Sequence, residues 1–374
     1  MASYSKLIKQ PDPAPLEWEV ACTHSESTLH QLSPYIGKLK STIAHDLVAE
    51  YSRKGDIVAD VFCGSGTVPL ECAQMGRRVF ASDASLYAVM LTKGKLSAPA
   101  DLEAAQERLD RAITEASTFT VDLRRVPKWV RNFYHPRTLK ETLRLVEALR
   151  KRRDYFLLAC LLGISHHQRP GFLSYPSSHL VPYLRSKKFP REDFPEMYEY
   201  RPVAPRIKAK VARALKRRTE FDKSLVVGVR RSTIENLTLP PIVDCFVTSP
   251  PYMNALDYGR DNRLRNWFLS GGAQERIDTQ LSRAEGFRRV MTQYAKSISQ
   301  CLAKGGYCVF VVGEKSERSS DQFPSEVLSE VVDEFAPTLR IQEIICDTIP
   351  DIRRSRRHLA GVKMEHILVY KRVT

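Results

Sequence analysis

The stretch that decides the fold is Asp56–Ser85, "DIVADVFCGSGTVPLECAQMGRRVFASDAS". Its opening apolar run, Asp56–Phe62, predicts a short buried strand. "CGSGT" follows as a glycine loop, "VPLECAQMG" as a helix stopped by Gly76, and "RRVFASDAS" as a second strand. Strand, loop, helix and strand in this order make a βαβ unit, whose two strands lie parallel in an α/β sheet. Ligands of such sheets bind outside the carboxyl ends of the strands, where glycines let the backbone approach them closely. Asp60, Phe62, Gly64, Gly66 and Thr67 fall at that edge. Asp83 ends the second strand about twenty residues on, placed to accept hydrogen bonds from ribose hydroxyls. The loop lacks the lysine of a phosphate-cradling P-loop, and its spacing is not GxGxxG. ATP and dinucleotides are disfavoured, and a nucleoside without phosphates is preferred.

A second unusual stretch is "VDCFVTSPPYMNALDYGR", Val243–Arg260. It runs apolar to Thr248 and then turns into Ser249-Pro250-Pro251-Tyr252. Two prolines fix φ and remove backbone donors, so the strand must stop there in a rigid corner. Around these two stretches, "SLVVGV", "GYCVFVVG", "RIQEIICDT" and "EHILVYKR" read as further strands, with a helix from about Asp101 to Thr118. "TLKETLRLVEALRKRRDYFLLACLLGI" keeps helical periodicity over a long range. A proline- and aromatic-rich stretch without period follows, and irregular stretches of that length are usually functional. "IKAKVARALKRR" then returns to helix.

The chain of 374 residues carries a net charge of +15. Between Val121 and Arg231 there are 27 Lys/Arg against 10 Asp/Glu, so that segment holds +17 and its flanks together −2. A basic middle between near-neutral flanks points to a polyanionic partner such as nucleic acid. The alternative is a solvated basic surface serving solubility. The eight cysteines include no CxxC and no cysteine–histidine zinc spacing, so no metal is expected, and a reducing cytoplasm fits. The longest apolar run, Tyr155–Ile164, is too short to span a bilayer, and no membrane partner is expected.

The run "DVFCGSGT", with Asp83 in register, resembles the first motif of the S-adenosylmethionine-dependent DNA amino-methyltransferases. Ser249-Pro250-Pro251-Tyr252 after a strand resembles the catalytic motif of the same family. The resemblance implies a Rossmann-like class I methyltransferase sheet with a basic, largely helical and loop-rich insertion. Residues 1–120 would form the first part of the methyltransferase domain and 121–222 the inserted target-recognition module. Residues 223–374 would form the second, catalytic part. S-adenosylmethionine is the implied cofactor, held by Tyr35, Lys38, Asp60, Phe62, Cys63, Gly64, Ser65, Gly66, Thr67, Asp83, Ala84 and Ser232. Ser232 enters because the third strand ends in Arg231-Ser232-Thr233, where many relatives have an acidic residue for the cofactor's adenine.

The same resemblance assigns catalysis to the corner. The Ser249 hydroxyl and the Pro250 carbonyl would accept from the target amine, Pro251 would hold that carbonyl rigid, and Tyr252 would stack on a flipped-out base. Serine in the first position goes mainly with cytosine N4, and Asp or Asn with adenine N6. Methylation at cytosine C5 uses a cysteine after proline in that family, and no cysteine here follows proline. Double-stranded DNA is the implied partner, a cognate restriction endonuclease an optional one, and the setting a cytoplasm. Oligomeric state stays open. Arg353, Arg354, Arg356 and Arg357 form a second basic cluster suited to phosphates, or simply to water. RNA or protein-amide methylation, and a catalytically dead nucleic-acid binder, are the competing readings.

Overall fold

The protein is described from a computed structural model. The structure describes residues 4–18, 26–166, 171–174, 189–251, 259, 262–271, 284–315, 323–349 and 362–373. Eight strands form one sheet: β1 (Asp12–Pro13), β2 (Ile57–Asp60), β3 (Arg78–Asp83), β4 (Val226–Arg231), β5 (Val243–Thr248), β6 (Leu302–Lys315), β7 (Leu339–Thr348) and β8 (Val362–Arg372). Their order is β1-β7-β8-β6-β5-β2-β3-β4. Neighbours pair in parallel except at β8, which runs antiparallel to both β6 and β7. The two-residue edge strand β1 gives no sign in the sequence, because so short a pairing leaves no periodic pattern.

Twelve α-helices lie among the described residues. They are α1 (Tyr4–Leu7), α2 (Ser41–Tyr51), α3 (Thr67–Gln74), α4 (Leu86–Leu96), α5 (Leu102–Ser117) and α6 (Lys128–Arg131). After them come α7 (Pro136–Lys151), α8 (Tyr155–Gly163), α9 (Val203–Leu215), α10 (Arg263–Ser270), α11 (Ala284–Cys301) and α12 (Pro324–Phe335). The central strands are buried on both faces, as parallel strands require. Val58, Cys245, Val247, Val309 and Val311 pack on one side against Ile43, Leu47 and Val48 of α2 and Val68 of α3. The alternate residues Ala59, Phe246, Cys308 and Phe310 pack on the other side against α11 and α12.

A third buried cluster is almost wholly helical. It joins Tyr87, Met90 and Leu91 of α4 to Phe156, Leu157 and Leu161 of α8, Ile207 and Val211 of α9, and Leu264 and Phe268 of α10. The long periodic stretch expected near residues 138–164 divides here into α7 and α8. Arg153 takes a left-handed backbone with φ 54 between them. Asp154 then caps α8, its Oδ1 accepting from the Leu157 amide at 3.0 Å, while its Oδ2 meets Arg108 of α5 at 2.6 Å. The chain turns because a capped, ion-paired aspartate outweighs continued periodicity. Of the irregular stretch that follows, residues 167–170 and 175–188 lie outside the described residues.

The apolar run at Tyr155 is a buried helix, and no described helix is long and apolar enough to cross a membrane. Its packing against α4 depends on Gly94. A Cβ added there would lie 2.8 Å from the Tyr155 carbonyl oxygen and 3.0 Å from the Ala159 Cβ. Alanine is the better helix former by about 1 kcal/mol, yet backbone cannot yield as a side chain can. Gly94→Ala is expected to lower stability by about 1–3 kcal/mol, read as a lower urea midpoint at unchanged slope. An unchanged or raised midpoint would mean that α4 and α8 have room to separate.

Candidate active site

The ends of β2 and β5 create the site. Their ladder pairs Val58 with Cys245 and Ala59 with Phe246. Beyond that, β2 stays with β3 as far as Asp60, and β5 stays with β6 as far as Thr248. The two chains diverge, one into the glycine loop and the other into Ser249-Pro250-Pro251. A side-chain bridge closes the gap. The Thr248 hydroxyl donates to Asp60 Oδ1 at 2.6 Å, and the Phe62 amide lies 3.3 Å from both Asp60 Oδ1 and Thr248 Oγ1. Thr248 is fully buried and Asp60 is 4% exposed. Burial pushes the Asp60 carboxyl up to about 7; hydrogen bonds from Thr248 and Phe62 only partly offset this, and Asp83 adds to it.

The glycine loop is fitted tightly to its surroundings. Gly66, with φ 72, begins α3, and a Cβ there would meet Thr92 Oγ1 at 2.6 Å. Gly64 has φ 47, and its missing Cβ leaves a cradle 3.3 Å from the Tyr35 ring. Tyr35 stacks on Tyr87 with ring centroids 6.0 Å apart, and the Tyr87 hydroxyl donates to the Pro34 carbonyl at 2.9 Å. Arg265 of α10 lies 5.5 Å from the same Tyr87 ring. Phe62 is held edge-on by Tyr294 of α11, centroids 5.6 Å apart. Cys63 Sγ meets Thr92 Oγ1 at 3.4 Å, and Ser65 and Thr67 hydroxyls meet at 2.9 Å, all buried. Their side chains face the protein, so what they offer a ligand is backbone.

Asp83 is positioned by this loop. Its Oδ2 accepts from the Gly64 amide at 2.9 Å and its Oδ1 from the Ser85 amide at 2.8 Å. Ala84 is exposed beside it, and the Ala84 carbonyl accepts from Arg231 Nε at 3.2 Å. The Ser232 amide donates to the Asp83 carbonyl at 3.1 Å, bringing the end of β4 to the same edge. The Lys38 ammonium donates to the His30 carbonyl at 3.1 Å, and its burial lowers its pKa.

Ser249 and Pro251 are half-buried and Pro250 is buried. Tyr252, Arg353, Arg354, Arg356 and Arg357 lie outside the described residues.

Several residues around the site carry no sequence signal. Thr248 reads as an ordinary β-branched strand residue. Glu71 of α3 bonds His30 Nε2 at 2.6 Å and His45 Nδ1 at 3.1 Å beneath the loop. Lys95, one turn on from Thr92, is fully buried with no hydrogen-bond partner for its Nζ among the described residues, and burial drives its pKa well below the usual lysine range. On the helical side, Arg263 stacks over Trp129 at 4.5 Å, and Trp129 meets Trp267 at 6.3 Å. This aromatic–cationic cluster joins α6 to α10, the helix that follows the proline corner in sequence.

A parallel sheet with one antiparallel strand, and a glycine loop and carboxylate at its switch point, define a Rossmann-like class I methyltransferase fold. Residues 18–93 match the family described as DNA methylase, of N6/N4 type, a span holding Tyr35, Lys38, the glycine loop and Asp83. The chain is 22% identical over 240 residues to the type II methyltransferase M.MjaII of Methanocaldococcus jannaschii, covering 60% of this chain and 41% of that protein. The chain thus spans less than half the length of that relative. Among solved structures it is similar to TrmN from Thermus thermophilus (TM-score 0.34, 11% identity, 90% of this chain and 50% of that one). It is also similar to the rRNA methyltransferase aviRa from Streptomyces viridochromogenes (TM-score 0.33, 11% identity, 99% and 96%). The first part of the chain is thus similar to DNA methylases of the N6/N4 type. That similarity implies S-adenosylmethionine as cofactor, and the cradle at Gly64 with the preset Asp83 carboxylate fits a nucleoside.

The raised Asp60 has a thermodynamic consequence. Between the ordinary carboxyl value and about 7 the folded state binds more protons than the unfolded state, so folding weakens as pH rises through that window. Asp60→Asn removes the titration while keeping an acceptor for Thr248. The melting temperature of the variant relative to wild type should therefore be higher at pH 8 than at pH 5, measured without cofactor. An equal difference at both values would place the Asp60 pKa near normal.

Proposed function

We propose that this chain transfers a methyl group from S-adenosylmethionine to the exocyclic N4 amine of a flipped-out cytosine in double-stranded DNA. The observation that carries the reading is the bridge between Asp60 and Thr248, which sets the rigid Ser249-Pro250 corner beside the glycine loop. Donor and acceptor sites of a direct transfer must be neighbours, and these are joined by adjacent strands.

When bound, the cofactor supplies an electrophilic methyl group on a sulfonium. Asp83 accepts from the ribose hydroxyls, Tyr35 walls the loop, and Ser232 with the end of β4 lies at the adenine side. The Ser249 hydroxyl oxygen and the Pro250 carbonyl accept from the two N–H groups of the target amine. That draws its lone pair out of conjugation with the ring, a task suited to acceptors that need no reorganisation. The nitrogen would thereby be turned to take the methyl group in line, and the proton it sheds would pass to water by way of the Ser249 hydroxyl. Tyr252 stacks on the extruded base. Residues 121–222 supply the positively charged face that meets DNA, with Arg263 and Trp129 at its junction with the catalytic part. Arg353, Arg354, Arg356 and Arg357 contact phosphates. A cytoplasmic location follows from that substrate.

Duplex DNA incubated with labelled cofactor is expected to yield N4-methylcytosine on digestion. Recovery of N6-methyladenine would keep the chemistry and overturn the base, whereas label in RNA or protein alone would overturn DNA as substrate. Tyr252→Ala should reduce transfer by at least about 100-fold while cofactor binding is retained. Equal DNA binding without any transfer by wild type would leave a nucleic-acid binder on a methyltransferase fold.

A further inference from the structure

The buried Asp60 carboxyl bridges the seam of the two motifs, and the scheme above gives its charge no part in the chemistry. Asp60 sits between Phe62, which enters the glycine loop, and Thr248, which precedes Ser249. A methyl group passing from a cofactor on that loop to an amine at Ser249-Pro250 crosses the gap between the ends of β2 and β5. Asp60 is the described carboxylate seated in that gap. Both its described hydrogen bonds fall on Oδ1, and no described residue bonds its Oδ2.

Resting on the function proposed above, we propose that Asp60 is the counter-ion by which the site distinguishes the sulfonium cofactor from its neutral thioether product. The two ligands share their adenosine, amino and carboxylate groups. They differ in one methyl group and one positive charge, and only the charge can draw on a buried carboxylate.

The surroundings of Asp60 favour this role. Asp83 from β3, Cys63 from the loop, Cys72 from α3 and Tyr294 from α11 are the titratable groups whose fields reach it. Burial holds both thiols and the phenol neutral, and Asp83 is an acid, so none of these groups supplies a positive charge. With no cation beside it among the described residues, the carboxyl therefore keeps its proton up to about pH 7. A cation arriving there favours the ionised form and expels the proton. Transfer then removes the positive charge from sulfur and leaves the carboxylate facing a thioether, which weakens product binding relative to substrate. Asp60 acts here as a discriminating residue at the cofactor. Its partner Thr248 is a positioning residue that favours the ionised form by donating to it.

Calorimetric titration of the full chain with S-adenosylmethionine and with S-adenosylhomocysteine, from pH 5.5 to 8.5, tests this directly. Affinity for the sulfonium should fall about tenfold per pH unit below about 7, with about one proton released on binding at pH 6. Affinity for the thioether should not fall with it. Asp60→Asn should flatten the sulfonium profile and leave thioether affinity within about threefold. Thr248→Val keeps the carboxyl but removes its donor, so the midpoint of the sulfonium profile should move to higher pH. Parallel profiles for the two ligands, or an unmoved midpoint in Thr248→Val, would overturn the proposal and leave the cofactor assignment intact. Failure of both ligands to bind at any pH would overturn the cofactor assignment, and this inference with it.

Discussion

A hydroxyl and a carboxyl on adjacent parallel strands, Thr248 and Asp60, hold together the place where the central ladder opens. Backbone pairing between β2 and β5 ends at Ala59 and Phe246, before either strand reaches the bridge. Without the bridge the two strand ends would face each other with unpaired groups and nothing to set their separation. A 2.6 Å bond buried from water supplies that constraint. Desolvation is the cost, visible in the raised carboxyl, and the Phe62 amide offsets part of it. The glycine loop and the proline corner thus inherit a fixed relative position from the contacts that Thr248 makes with Asp60 and the Phe62 amide.

The second constraint is the sharing of α4. One flank of this helix serves the sheet, and another packs into the helical cluster with α8 and α10. Tyr87, near its start, touches three neighbourhoods at once: Tyr35 above the glycine loop, the Pro34 carbonyl, and Arg265 of α10. Arg265 also donates to the Leu162 carbonyl of α8. The basic middle of the chain is therefore bound to the ring pair beside the glycine loop through packed side chains rather than through a hinge.

Much of this is legible in the residues, for physical reasons that differ from place to place. The strand-loop-helix-strand run at Asp56 is readable because apolar runs and glycines follow local rules, and Asp83 lies at the predicted strand end. The break between α7 and α8 is hidden, since Leu and Val periodicity continues through Arg153 without a glycine or proline to interrupt it. What stabilises the break is the pairing of Asp154 with Arg108, 46 residues away. Thr248 is invisible as a functional partner because a β-branched residue is what any strand would carry. Lys95 and the His30–Glu71–His45 group are likewise unreadable, since their meaning lies in burial and long-range proximity. Local pattern reports elements, whereas the seams between elements are set by contacts distant in sequence.

The excursion from α4 to β4 leaves and rejoins the sheet on the side of β3, and β4 is the last strand in that direction. A segment attached at the margin of a sheet can lengthen, shorten or be exchanged without any interior strand changing register. The seam of β2 and β5, where the proposed transfer takes place, lies inward of β3 and is insulated from such changes. If the proposed function holds, an architecture of this kind lets lineages rewrite what the excursion reads while leaving untouched how the proposed transfer is carried out.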